Sequence, residues 1–190
     1  LMEKLFVTAS NYLNPIRHKT KFIAVRYGNV LGSNGSIVPK IIEQIKSKKK
    51  ITVTDPNMTR FNITMNQALD LIERATTTGK GGEVFIPKLL AYRVGDLKDV
   101  LLDLFESKNS TEIISVRTGE KFHESLLTID ELRNAYESKH DYILIEKNDF
   151  HKIHAHDYEK TSLNEQYSSN KVKLLTKDEL KDILLKEDLI

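Results

Sequence analysis

At 190 residues the chain has room for one generous domain or two small ones and can bury a sizeable core. Lys plus Arg is 29 against 27 for Asp plus Glu, so a net charge of +2 excludes strong attraction to nucleic acid or an anionic membrane. With no cysteine there are no disulfides or thiolate zinc sites, which fits a reducing cytoplasm, and no apolar run approaches the roughly 20 residues that span a bilayer.

The chain opens on LMEKLFVTASNYL, with Leu1, Leu5, Phe6 and Tyr12 near helical spacing and no capping signal ahead of them. Asn14 and Pro15 break that pattern, and KFIAVRY predicts a strand. A loop holding Gly28, Gly32 and Gly35 leads to a helix from Ile37 to about Lys48. ITVTD reads as a strand and DPNM as a turn. TMNQALDLIERATTT, with Leu69, Leu71, Ile72 and Ala75 on one side and Thr64 as N-cap, predicts an amphipathic helix. After GKGG, EVFIP is a short buried strand. VGDLKDVLLDLFES predicts a helix, EIISVR a strand, TGEKFHESLL a loop running into a short helix, and YILIE another strand. Residues 147 to 170 have the weakest periodicity, and TKDELKDILLKE closes the chain as a capped helix. The alternation of strands and helices argues α/β.

The glycine loop fails two tests. A dinucleotide fingerprint needs G-x-G-x-x-G, and the interval from Gly28 to Gly32 is too long; no G-K-[ST] is present either. Asp55 stands at a tempting distance for a ribose ligand, but inside TVTDPN it carries little weight.

R-Y-G-N-V-L-G-S-x-G-S, followed by ITVTDPNMTRF, GGEVFIPK, YRVGDL, RTGEKFHESL and YSSNKVKLLTKDELKDIL, resembles the C-terminal half of the extended short-chain dehydrogenase/reductases that modify UDP-N-acetylglucosamine. It is most similar to the inverting 4,6-dehydratase group of capsule, flagellin-glycan and polysaccharide biosynthesis. The resemblance implies a piece of a Rossmann-type parallel sheet plus a small mixed α/β substrate domain. Residues 1–35 and 60–88 would supply the sheet pieces, and 36–59 and 89–190 the sugar-nucleotide-binding part.

It further implies that the glycine loop receives the sugar nucleotide. The three glycines would let backbone approach the ligand, with Asn29 and Ser36 as neutral donors. Arg60 and Arg117 would clamp the diphosphate, since a planar guanidinium matches phosphate oxygens; the plainer reading of each is a surface salt bridge. Glu120 would orient an arginine or accept a ribose hydroxyl, and Thr52 and Val53 would run beside the uridine through backbone contacts. His123 and Glu124 receive no chemistry, and Tyr27, with no Lys four positions on, is expected to pack.

The implied cofactor is NADP and the implied ligand UDP-N-acetylglucosamine or a related UDP-sugar. The family's cofactor fingerprint and its catalytic Asp, Lys and Tyr or Met precede the stretch similar to LMEKLFVTAS, so no catalytic residue is named. A homo-oligomer, or a partner chain supplying the N-terminal half, is left open. A UDP-sugar 4-epimerase and a non-catalytic UDP-sugar-binding module are the alternatives. HKIHAHD gathers His151, His154, His156 and Asp157, but no regular helix fixes them as metal ligands. KSKKK reads as a solvated helix end.

Overall fold

The computed structural model describes residues 2–12, 19–145 and 157–190. In chain order they form α1 (Met2–Tyr12), β1 (Ala24–Val25), α2 (Ile37–Lys46), β2 (Ile51–Val53), β3 (Thr59–Phe61), α3 (Met65–Thr78), β4 (Glu83–Pro87) and β5 (Ala91–Arg93). There follow α4 (Val94–Leu104), β6 (Thr111–Ile113), β7 (Ser125–Leu127), a 3₁₀ turn (Glu131–Asn134), β8 (Ala135–Glu137), β9 (Asp141–Ile145), β10 (Glu159–Lys160), β11 (Tyr167–Ser168) and α5 (Lys177–Lys186). The fold is mixed α/β and includes a sheet with a parallel pair. No helix among the described residues is long and apolar enough to cross a membrane. His151, His154 and His156 lie outside the described residues.

The chain divides into two compact units. The first comprises Leu1–Tyr27, Asn66–Lys88 and Leu126–Tyr167 and carries a sheet of order β1-β4-β9-β8-β10. β1 runs parallel to β4, and the other pairings are antiparallel. All five residues of β4 are buried, as the apolar run bounded by GKGG predicts. Each large side chain buried there contributes about 1.5–3 kcal/mol. The α3 helix lays Ala68, Leu71 and Ala75 inward, with Leu71 and Ala75 against Phe85, Ile143 and Ile145. Leu69 and Ile72, which the spacing also assigns to the apolar face, are exposed.

Ion pairs fasten this unit. The Arg74 guanidinium donates to both Asp141 oxygens at 2.7 Å. Arg26, just after β1, donates to the carboxylates of Glu3 and Glu131 and to the Leu126 carbonyl. Residues 126–145 and 157–167 pack in this unit because β8 and β9 extend the sheet from β4, whereas the resemblance assigns them to the sugar-nucleotide part.

The second unit comprises Gly28–Met65, Leu89–Ser125 and Ser168–Ile190. Here β2 pairs in parallel with β6, and β3 pairs antiparallel with β5. A core of Val38, Ile41, Ile51, Val53, Leu97, Leu101, Leu180 and Leu184 joins β2 to α2, α4 and α5. The α5 helix starts as predicted: Thr176 accepts from the Glu179 N–H, and the Glu179 side chain reaches back to the Thr176 N–H, a reciprocal cap. The α2 and α4 helices end sooner than the spacing predicts. At Lys48, Glu106 and Asp188 the chain takes a left-handed residue, with φ of 53°, 48° and 52°, to close three helix ends.

One predicted element changes type. TGEKFHESLL contains no helix; Ser125–Leu127 is β7, paired with β11. Just before it, the Glu124 N–H donates to the Ser169 hydroxyl at 2.9 Å, and the Glu124 carbonyl accepts from the Ser169 N–H at 2.8 Å. Those distant bonds hold the backbone extended.

Candidate functional site

The three glycines between β1 and α2 serve different ends. A Cβ on Gly28 would lie 3.1 Å from Glu124 Oε2 and 3.1 Å from the Phe61 Cβ, so its bareness admits a carboxylate and a buried side chain of the protein itself. A Cβ on Gly32 would meet a Leu189 methyl at 2.3 Å. Gly35, with φ of +76°, has open space on its Cβ side and lines a cavity of about 240 Å³. Two are filled from within the fold, and Gly35 faces the cavity.

Around that cavity stand all the residues that the resemblance singles out: Asn29, Ser36, Thr52, Val53, Arg60, Arg117 and Glu120. Ser36 is the N-cap of α2, yet its side chain makes no capping bond, and its buried hydroxyl has no partner among the described residues. The first N–H groups of a helix are unpaired and carry the positive end of its dipole. Ser36 thus adds an unsatisfied hydroxyl where an anion is favoured. Lys40, four residues on, lines the same cavity.

Thr52 and Val53 are engaged inside the fold. Gln44 accepts from the Thr52 N–H at 3.2 Å and donates to its hydroxyl at 2.9 Å. The Val53 carbonyl accepts from the Ile114 N–H. The Thr52 N–H is taken up, while the Thr52 hydroxyl keeps its own O–H and the Val53 carbonyl a second lone pair.

Arg60 on β3 is held on several sides. It donates to the carbonyls of Thr59 at 2.8 Å and Phe122 at 3.2 Å and to Glu120 Oε1 at 3.4 Å. Its Nε lies 3.9 Å from Glu124 Oε1. Glu120 also accepts from the Thr54 hydroxyl and the Arg117 N–H, so it orients Arg60 and not the Arg117 fork. Arg117 is exposed, and its guanidinium forms no ion pair among the described residues. One arginine is preset and the other is free to close on a ligand. With Lys40 they set three cationic side chains against the single carboxylate of Glu120 on the cavity wall.

Asn29, Arg60, Arg117 and Glu120 also face a second cavity, of about 490 Å³, whose wall includes Lys121 and Glu124. Burial pushes the Glu124 carboxyl above its usual range, against the pull of the Phe61 N–H and of the Arg60 and Lys121 charges. His123 accepts no such role: its Nδ1 lies 2.8 Å from the Thr59 hydroxyl, which lies 2.6 Å from that of Ser169, a knot that ties β3 to residue 169. Tyr27, expected to pack, is 37% exposed. Asp55 accepts from the Asn57 N–H and closes the DPN turn.

Two cavity residues escape the sequence reading. Lys40 sits one helical turn after Ser36, a spacing visible in the sequence. Tyr92 enters from β5, opposite Arg60, a strand pair that no alternation announces. Among the described residues no cluster of His, Asp and Glu is arranged to hold a metal.

A family model described as polysaccharide biosynthesis protein matches residues 1–147. The chain belongs to this family. A relative named UDP-glucose 4-epimerase, from Rickettsia massiliae, is 36% identical over 194 residues, covering 100% of this chain and 56% of its own length. A protein of the same name from Rickettsia bellii is 37% identical over 193 residues with the same coverage. The solved structure of Pen from Bacillus thuringiensis is 34% identical with a TM-score of 0.87, across 99% of this chain and 55% of that one. A UDP-glucose 4-epimerase from Thermotoga maritima, solved with UDP-glucose, shares the fold at 16% identity and a TM-score of 0.51, over 62% of this chain and 38% of its own. The chain spans about half the length of the relatives it matches, and it corresponds to the C-terminal part of an extended short-chain dehydrogenase/reductase.

Proposed function

We propose that the second unit holds a UDP-sugar, with the diphosphate against Asn29, Arg60 and Arg117, the uridine toward Thr52 and Val53, and the sugar toward Lys121 and Glu124. The observation that carries this reading is that Asn29, Arg60, Arg117 and Glu120 form a wall common to both cavities. A ligand with an anionic middle and two neutral ends suits that arrangement. Ser36 and the start of α2 add donors on the same side.

The reaction we assign to the whole enzyme is the 4,6-dehydration of UDP-N-acetylglucosamine with inversion at C5, a step toward a surface polysaccharide or glycan. A second reading, UDP-sugar 4-epimerisation, is favoured by the names of the Rickettsia relatives. Either reaction draws on a nicotinamide cofactor in this class of enzyme, and the resemblance specifies NADP. The glycine loop of this chain does not fit that group: its spacing is not that of a dinucleotide fingerprint, and Glu124, Phe61 and Leu189 crowd the Cβ sides of Gly28 and Gly32. No step is therefore assigned to a cofactor or to a catalytic residue of this chain. Its part is to bind and orient the nucleotide.

Calorimetric titration of the chain with UDP-N-acetylglucosamine, UDP-glucose and NADP tests the reading. We expect the N-acetylated ligand to bind, NADP not to bind, and Arg117→Ala to weaken binding by about 1.5–3 kcal/mol, the worth of a charged hydrogen bond, without lowering the melting temperature. Arg60→Ala weakens binding too, but also strips Glu120 of its partner. Preference for UDP-glucose favours the epimerase. A folded chain that ignores both sugars defeats the proposal.

A further inference from the structure

Tyr92 is 1% exposed, yet it lines the cavity of the second unit. The register of β3 and β5 sets it directly opposite Arg60. Directly opposed residues of an antiparallel pair project from the same face with their Cβ atoms about 5 Å apart. Its hydroxyl makes no hydrogen bond among the described residues. Nor is it sealed away, since among the described residues the sealed and unpartnered side-chain atoms are those of Ser36, Asn62 and Asn134. The residue that carries it lines the cavity.

A buried tyrosine ordinarily finds a partner for its hydroxyl. The charged groups that act on this one, Glu124 and Arg60, are already engaged. Glu124 Oε2 accepts from the Phe61 N–H, and Arg60 donates to Thr59, Phe122 and Glu120 and not to this hydroxyl. Phenylalanine would fill the same core space without an unpaired polar atom. The hydroxyl is kept at a position where packing has no use for it.

We propose that Tyr92 is a ligand-binding residue whose hydroxyl donates a hydrogen bond to an oxygen of the diphosphate seated on Arg60 and Arg117. The proposal rests on the UDP-sugar reading above. The chemistry matches on both sides. A phosphate oxygen is an acceptor only, and Tyr92 stays a donor, because burial, reinforced by the Glu124 charge and opposed by Arg60, pushes its ionisation well above the ordinary tyrosine range. Arg60 fixes where the anion rests, and Tyr92 is its directly opposed cross-strand neighbour.

The test is Tyr92→Phe in the full chain, titrated with UDP-N-acetylglucosamine, UDP, uridine and inorganic pyrophosphate, beside a thermal melt without ligand. Expected is an affinity loss of about fivefold to twentyfold for the three phosphate-bearing ligands, as for one lost hydrogen bond. Uridine should be unaffected, and the melting temperature should stay or rise. Unchanged affinity for the phosphate ligands overturns the proposal. So does a lowered melting temperature with unaltered binding, which would give the hydroxyl a partner within the fold. If the wild-type chain binds pyrophosphate but not UDP, the UDP-sugar reading falls, and the pyrophosphate titration of Tyr92→Phe still decides whether Tyr92 grips an anion. If it binds neither, both fall.

Discussion

Gly28→Ala separates packing from ligand access as the reason for a glycine in the site loop. The added methyl would sit 3.1 Å from both Glu124 Oε2 and the Phe61 Cβ, a few tenths of an ångström inside ordinary contact. Neither neighbour yields freely. Phe61 is fully buried, and Glu124 Oε2 is fixed by the Phe61 N–H at 3.0 Å. Overpacking of this kind costs about 1–3 kcal/mol. Straining the charge-assisted bond adds a fraction of the roughly 1.5–3 kcal/mol that such a bond contributes. The stiffer unfolded chain of an alanine returns about 0.4–1 kcal/mol. The net expectation is a loss of about 2 kcal/mol, or roughly 4–8 °C in melting temperature for a chain of this size. Urea unfolding of wild type and Gly28→Ala, each with and without Glu124→Ala, measures it. Removing the carboxylate should relieve part of the cost, with a coupling above about 0.5 kcal/mol. If Gly28→Ala is as stable as wild type in both backgrounds and only UDP-N-acetylglucosamine affinity suffers, the space belongs to a ligand and the packing argument is wrong.

Glu131 gives a pH dependence. Burial pushes its carboxyl up, but hydrogen bonds from Arg26 and from the Thr128 N–H, with the Arg26 charge, outweigh that and hold it below its usual range. A depressed carboxyl adds stability above its unfolded value, and that stability is lost as pH falls through the folded one. The stability gap between wild type and Glu131→Gln should therefore be largest near neutral pH and shrink below about pH 4, as urea melts at several pH values would show; a constant gap contradicts the linkage. At the helix ends, Lys48→Gly and Glu106→Gly should each raise stability by about 0.5–1 kcal/mol by relieving left-handed backbone. A drop in either melting temperature would mean that the side chain contributes more than its strain.

The elements that the sequence made legible are those whose signals are local. Thr176 with Glu179 announces the start of α5, and GKGG before EVFIP isolates β4, because caps and turns act within a few residues. Helix stops were overrun at α2 and α4, since Lys48 and Glu106 stand where a glycine would mark the end. The strands β3, β5 and β7 are three residues each, too short for alternation, and depend on partners far along the chain. The same physics governs the site. Arg60, Arg117 and Glu120 could be singled out from their motifs, whereas Tyr92 becomes visible only once β5 lies beside β3. The crowding at Gly28 is hidden in the sequence for a related reason: what meets its Cβ side is Glu124, distant in the chain.

Leu189 has a practical bearing on how any of these experiments is built. After α5 the left-handed Asp188 turns the chain so that the Leu189 N–H reaches the Leu184 carbonyl, and its side chain then covers Gly32 of the site loop. A purification handle fused directly after Ile190 would tug on the residue that pins that loop. An affinity measured on such a fusion would report on the handle as well as on the cavity, so a cleavable extension is the sounder choice.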